Sequence, residues 1–264
     1  MATLAVVISQ ISDIENNMLD ERQLPLGYKT LVALDRESHG HLGIAQPNDY
    51  SFATGQHVIM VTWMEMINAS RDYPLIFIAA GTSDNLMPVI LTGVDDGENL
   101  FLNSAGDWCQ DCYIPATIRR YPFFTMPYPD QEEDQRKLAI LVDETALSEH
   151  GEPILDSHGN PTPFWQEIEN FVADLDGEIQ QTESFLQILQ ELALLEQFSY
   201  QVSVNGRDYT GKPGMLRISE QKLNELPAEK LKALQENGSL KRIHAHLISL
   251  HNFDRLYRLK SQSV

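Results

Sequence analysis

The stretch between Leu75 and Asp107 limits the fold most tightly. The apolar run LIFIAA (75–80) stops at GTSDN, MPVILTGV (87–94) stops at DDGEN, and NLFLN (99–103) stops at SAGD. Runs this short, separated only by Gly, Asp, Asn and Ser, read as strands joined by tight turns. A parallel pair needs a crossover of a dozen residues or more, and these connections are too short to supply one. The expectation is an antiparallel meander. KLAILV (137–142) reads as a further strand, and GEPILDSHGNPTP (151–163) as a strand and turn that close this part.

The periodicity then changes. Phe164, Ile168, Phe171, Val172, Leu175 and Ile179 recur at helical spacing. Phe185, Ile188, Leu189, Leu192 and Leu195 continue the pattern after a break expected at Asp176-Gly177, with Thr182 as the N-cap of the second piece. SYQVSVNGRDYTG reads as a hairpin turning at Asn205-Gly206. Ser219 caps a short helix, Pro227 opens AEKLKALQEN and Gly238 stops it. A last helix runs from Ser239 to about Lys260, with Leu240, Ile243, Leu247 and Leu250 on one face. The predicted class is α+β: one domain over residues 1–264, with an antiparallel meander sheet in a β-rich section (24–160) covered by helices of the C-terminal section (161–264). No repeat, low-complexity segment or linker is visible, and QEEDQ (131–135) reads as a solvated loop.

The charge excludes whole classes of partner. With 38 acidic and 19 basic side chains the formal net charge is −19. Such a surface repels phosphate backbones and anionic lipid, so neither nucleic acid nor a membrane is expected as a partner. The opening MATLAVVISQISDIENN has no Lys or Arg before its apolar run, which rules against a secretory signal. The longest apolar runs fall far below spanning length. A soluble, cytoplasmic protein is the default expectation.

The only two cysteines lie in GDWCQDCYIPATIRRYPF (106–123) as Cys109-x-x-Cys112 behind Trp108. Thiol redox chemistry of the thioredoxin kind needs a helix beginning at the motif, whose N–H groups favour a thiolate. Pro115 can open a helix, but Pro122 must end it in under two turns, and Asp107 and Asp111 flank the thiols with the wrong charge. Zinc needs two more ligands, and no second C-x-x-C exists. The cysteines therefore read as small, soft residues in a packed turn.

Two adjacent arginines, Arg119 and Arg120, stand among aromatics in a very acidic chain. A guanidinium can hold a carboxylate bidentately and stack on a ring, so Arg119 or Arg120 can grip a ligand carboxylate with Trp108, Tyr113 and Tyr121 as walls. The competing reading pairs the arginine with an internal Asp or Glu. His39 and His41 form an H-x-H pair on a turn. Either His39 binds at a site completed from elsewhere, or it caps the loop. His244, His246 and His251 lack metal-ligand spacing and read as neighbours of the apolar stripe of the last helix. No phosphate-binding loop, nucleophile elbow or dinucleotide fingerprint is present. DDGE (95–98) reads as a turn rather than a calcium loop. No metal or cofactor is expected.

YPLIF (73–77), GENLFLNSAGDW (97–108), YIPATIRRYPF (113–123), GEPILDSHGNPTP (151–163) and IHAHLISLHNFDRL (243–256) occur in an order and spacing that resemble the SapC family. LDRESHGHLGI (34–44) and YSFATGQHVIMVTWMEMINA (50–69) resemble its N-terminal section. The resemblance covers residues 25 to 257, and YIPATIRRYPF is its most specific part. In the family pattern the Trp and Tyr of W-x-x-x-x-Y recur, and the thiols do not. The resemblance implies a bacterial protein whose family is named after a surface-layer locus. The resemblance also implies frequent neighbourhood to genes for flavin-dependent halogenases, cupin-type oxygenases and outer-membrane receptors. No accepted catalytic residues carry over.

The expected function is an accessory binding protein that recognises a peptide or small carboxylate in a surface-layer or uptake-related pathway, using Trp108, Tyr113, Arg119, Arg120, Tyr121 and His39. Protein partners and self-assembly are compatible with it. The alternative is an enzyme, metal-dependent or not, that modifies a peptide or amino acid. No reaction is legible in the sequence, so binding is placed first.

Overall fold

The computed structural model describes residues 24–25, 27–34, 36–79, 86–128, 137–211 and 213–263. The N-terminal run, the GTSDN turn and the QEEDQ loop lie outside the described residues. In chain order the strands are β1 (Leu31–Ala33), β2 (Gly43–Ile44), β3 (Val58–Met60), β4 (Leu75–Ala79), β5 (Leu86–Leu91), β6 (Phe123–Tyr128), β7 (Lys137–Asp143), β8 (Leu147–Ser148), β9 (Glu152–Pro153), β10 (Leu195–Gln197), β11 (Gln201–Val204), β12 (Arg207–Thr210) and β13 (Leu216–Ile218). The α-helices are α1 (Arg36–His39), α2 (Met66–Ala69), α3 (Ala116–Arg119), α4 (Pro163–Glu191), α5 (Glu220–Asn224), α6 (Ala228–Glu236), α7 (Ser239–Ser249) and α8 (Phe253–Gln262). No described helix is long and apolar enough to cross a membrane.

The class is α+β, and every strand pairing among the described residues is antiparallel. The chain forms two compact units from interleaved stretches: the described residues of Met1–Phe52 with Arg120–Asp174, and Ala53–Arg119 with the described residues of Leu175–Val264. Each unit draws on both the β-rich and the helix-rich sections of the sequence. The first unit holds the sheets β1-β7-β6 and β8-β2-β9. The second holds β10-β13-β4-β5-β3 and the hairpin β11-β12.

In the first unit the run KLAILV is apolar on both faces because both faces of its sheet are covered. Ile140 and Val142 pack with Phe123, Ile44, Ile154, Trp165 and Val172. Leu141, one residue out of phase, packs with Leu31, Ala33, Tyr28, Phe124 and Met126 on the other side. In the second unit Leu75, Ile76, Phe77, Val89, Ile90 and Leu91 are essentially inaccessible, so β4 and β5 form the centre of its core. The Asn205-Gly206 turn is as expected, with φ of 52° and 79° at the two residues, the combination a two-residue hairpin demands.

Several expectations give way, and Leu195, expected at the end of the helical run, instead opens β10. Asn99–Asn103 is not a strand, and its only ladder contact is an isolated bridge from Leu102 to Trp108. The Asn99 side chain accepts the Phe101 N–H at 3.0 Å and donates to the Ala53 carbonyl at 3.2 Å, so a local turn outcompetes the ladder. The break at Asp176-Gly177 does not occur, and α4 runs unbroken for 29 residues. Thr182 is no cap: its hydroxyl donates to the Glu178 carbonyl one turn back and accepts the Trp63 N–H at 2.8 Å. The last helix divides at a 3-10 turn over Leu250–Asn252. There the Asn252 amide donates to the Ser70 and Tyr73 carbonyls at 2.8 and 3.1 Å.

The buried face of α7 is Ser239, Ile243, His246 and Ser249 rather than the leucine stripe. Two of its polar members bond to the sheet, while the Ser239 hydroxyl has no partner among the described residues. His246 Nε2 accepts the Ile218 N–H at 3.0 Å, and Ser249 Oγ accepts the Leu75 N–H at 3.1 Å. Burial pushes His246 down from 6.5 to about 3, so the native state holds a neutral imidazole.

Two predictions come from these elements. A methyl group at Gly177 meets no atom within 4 Å, so Gly177→Ala raises stability by about 0.5–1 kcal/mol, read as a higher urea midpoint. A lowered midpoint would contradict a continuous helix at that point. The unfolded chain protonates His246 below 6.5 while the folded chain does not, so stability is complete above that pH and falls as pH drops towards 3. The slope approaches about 1.4 kcal/mol per pH unit. Between pH 6.5 and 5, where most carboxylates stay ionised, denaturation of His246→Gln should show a shallower loss than the parent. Equal slopes would show that His246 is not neutral in the fold.

Candidate functional site

The second unit is organised around a carboxylate. Glu65 follows the loop after β3 and is 3 % exposed. It accepts the Thr62 N–H at 2.8 Å, the Ala116 N–H at 2.6 Å and the Tyr113 hydroxyl at 2.9 Å. The Thr62 hydroxyl lies 3.0 Å from Glu65 and 2.6 Å from Glu178, and its single proton serves one of them at a time. These bonds anchor the start of α3 and the tyrosine before it.

Trp108 and Tyr113 are built into the same network. Trp108 is buried, and its Nε1 donates to the Tyr73 hydroxyl at 2.8 Å. That hydroxyl donates in turn to the Tyr113 carbonyl at 2.6 Å, while the Tyr113 N–H donates to Asp72 at 2.9 Å. Burial pushes the Tyr73 phenol well above its ordinary value. Burial also raises Tyr113, helped by the adjacent Glu65 charge. Both stay neutral and act as donors. As the two prolines require, α3 is only four residues long and ends before Pro122. Arg119 is its exposed last residue, with Nε donating to the Ile114 carbonyl at 3.1 Å.

Cys109 and Cys112 form a disulfide at this corner, with Cα atoms 5.5 Å apart. Asp111 adopts a left-handed φ of 62°, which an Asp tolerates, and the Cys112 N–H reaches the Cys109 carbonyl at 3.2 Å. No long helix begins at the motif, as expected. A cation nevertheless reaches the sulfurs from far along the chain. The Arg255 guanidinium, on α8, places Nη2 3.1 Å from Cys112 Sγ and 3.5 Å from Cys109 Sγ. Its Nη1 binds Asp72 at 3.3 Å, and its Cζ lies 5.3 Å from the Phe101 ring centre.

The first unit holds Arg120, Tyr121 and His39. His39 ends α1, half-buried, and its carbonyl accepts the Leu42 N–H at 2.9 Å. Arg120 lies 4.5 Å over the Phe124 ring. Tyr121 stacks on Phe52 at 4.0 Å between centroids, and Tyr28 meets Tyr121 and Phe124 edge-on at 5.1 and 5.9 Å. Burial pushes the Tyr28 phenol up to about 12, while the Arg120 guanidinium bonded to it pulls the other way. Tyr28 donates to the Phe123 carbonyl at 2.7 Å. The Arg120 Nε is buried and has no acceptor among the described residues.

The six residues singled out in the sequence thus fall into two sets: Trp108, Tyr113 and Arg119 in one unit, His39, Arg120 and Tyr121 in the other. Sequence reasoning missed Tyr28, Phe52 and Phe124 around Arg120, and Asp72 and Arg255 around the thiols. Among the described residues no group of three or more His, Cys, Asp or Glu is placed to hold a metal ion. A hollow of about 490 Å³ lies in the second unit between β5 and α4, floored by Met60, Met87, Pro88, Ile179 and Leu186. None of the six residues lines it.

No curated protein and no solved structure matches the chain. The family profile of SapC matches residues 34–256 of the 264, which takes in both units, the arginine pair and the thiol corner, and the chain belongs to the SapC family.

Proposed function

We propose that this protein is an accessory binding protein, acting in a surface-layer or uptake-related bacterial process, that recognises a carboxylate on a peptide or small molecule through Arg120. The observation that carries this reading is the buried Arg120 Nε without an acceptor among the described residues. A buried guanidinium donor left open is costly unless something fills it, and a carboxylate is the acceptor that matches its fork. The ring of Phe124 backs the guanidinium, and the Tyr28 bond fixes its orientation. Tyr121, stacked on Phe52, adds an amphipathic wall. All five residues belong to one unit. Trp108 and Tyr113 have their polar groups committed within the other unit, which suits bracing better than ligand contact.

A charge-assisted bond to a carboxylate contributes about 1.5–3 kcal/mol, or about tenfold to a hundredfold in affinity. Short peptides with free C-termini should therefore bind at least tenfold more tightly than the same peptides amidated, measured by calorimetry. Arg120→Gln should abolish that difference while leaving the melting temperature nearly unchanged. A large loss of melting temperature, or equal binding of acid and amide by the parent, would make Arg120 a structural brace.

A further inference from the structure

The sequence places only acids beside the cysteines, but the fold delivers a cation to them. Arg255 is 143 positions from Cys112, yet its Nη2 contacts both sulfurs, while the Gln110 carbonyl lies farther off, 3.6 Å from Cys109 Sγ. Its other edge is occupied by Asp72, which also holds the Tyr113 N–H, so the guanidinium is aimed rather than swinging freely. Asp107 and Asp111 are exposed, and water screens them, whereas Arg255 is half-buried and in direct contact. Tyr73 and Tyr113 are kept neutral by burial and add no negative charge near neutral pH. Both cysteines are partly accessible. A bond between residues three apart removes little chain entropy, so stability alone is a weak reason for it.

We propose that Cys109–Cys112 is a reversible dithiol–disulfide centre whose reduced form is held by Arg255, and that it exchanges with a partner of the dithiol or disulfide class. In the reducing direction a thiolate of the external dithiol attacks Cys109 Sγ. The Cys109–Cys112 bond breaks, and Cys112 leaves as a thiolate facing the Arg255 Nη2. The second thiol of the external molecule loses its proton to solvent and attacks its own sulfur in the mixed disulfide. Cys109 is displaced and takes up a proton. Two electrons have passed to the protein, the external dithiol has become a disulfide, and Cys112 remains anionic beside the guanidinium. A thiolate-stabilising cation favours the reduced form and makes the disulfide more oxidising. The centre lies in the other unit from Arg120 and does not depend on the carboxylate reading.

The test uses the full chain reduced with dithiothreitol. Maleimide labelling followed by mass spectrometry should find two reactive thiols in a folded protein, and none after reoxidation. The rate of iodoacetamide alkylation of the reduced protein should rise with pH around a midpoint well below the ordinary cysteine value of about 8.5. Arg255→Met should move that midpoint up by about one unit, a roughly tenfold slower reaction at pH 7, and should make the disulfide harder to reduce at equilibrium with dithiothreitol. Arg255→Lys should restore most of the shift. If Arg255→Met does not fold, the parent profile and the lysine variant decide alone. A parent midpoint at or above 8.5, loss of the fold on reduction, or identical profiles for the parent and a folded Arg255→Met would overturn the proposal.

Discussion

The second unit depends on keeping the Glu65 carboxylate satisfied. An ionised carboxylate at 3 % exposure would cost several kcal/mol without donors around it. Its donors come from Thr62 on one side and from Tyr113 and Ala116 on the other, so two chain segments about fifty residues apart are locked together. The consequences propagate. With Tyr113 fixed, its carbonyl receives the Tyr73 hydroxyl, that hydroxyl receives the Trp108 indole, and Trp108 sets where Cys109 begins. With the Tyr113 N–H fixed on Asp72, the second Asp72 oxygen is free to orient Arg255. Trp108 and Tyr113 thus act as polar braces, and the residues between them are presented by that brace.

The long helix answers to the same logic. An interior Gly costs about 1 kcal/mol relative to Ala, and α4 bears that cost at one position of its 29 residues. Against it stand Glu178, bonded to the Thr62 hydroxyl, and Thr182, bonded to the Trp63 N–H. Both lie within two turns of Gly177, and both would be lost if the helix broke there. Tertiary bonds therefore decide the continuity of α4 where local propensity argues for a stop.

Legibility followed interaction range. Runs such as LIFIAA and KLAILV were readable as strands because a short continuous apolar run and the turn residues beside it are local signals, and the Asn205-Gly206 hairpin because it needs two positive φ angles. NLFLN misled because its apolar content outweighs in any scan the one Asn side chain that bends it. The face of α7 misled because leucines rank as core and serine and histidine do not. Ser249 and His246 are buried because strand N–H groups on β4 and β13 need acceptors, a demand that lies on other elements. Arg119 and Arg120 stood out as adjacent arginines in an acidic chain. That Phe124 would back the second of them was readable only in hindsight, from its place four residues on.

The thiol corner shows most sharply what a local reading cannot weigh. Asp107 and Asp111 were legible, adjacent and of the wrong sign for a thiolate. Arg255 was legible only as one basic residue in NFDRL. Which of them governs the sulfurs is a question of distance and dielectric. Coulomb energy falls as the inverse of the product of distance and effective dielectric, so a half-buried guanidinium at 3.1 Å outweighs exposed carboxylates whose field passes through water. A neutral disulfide is a weak acceptor and leaves the Nη2 edge poorly satisfied, whereas a thiolate supplies the charge that edge lacks. Asp72 aims the cation: with the disulfide formed it already holds Nη1 at 3.3 Å, so the guanidinium is oriented before any charge develops, which is the condition for electrostatic preorganisation.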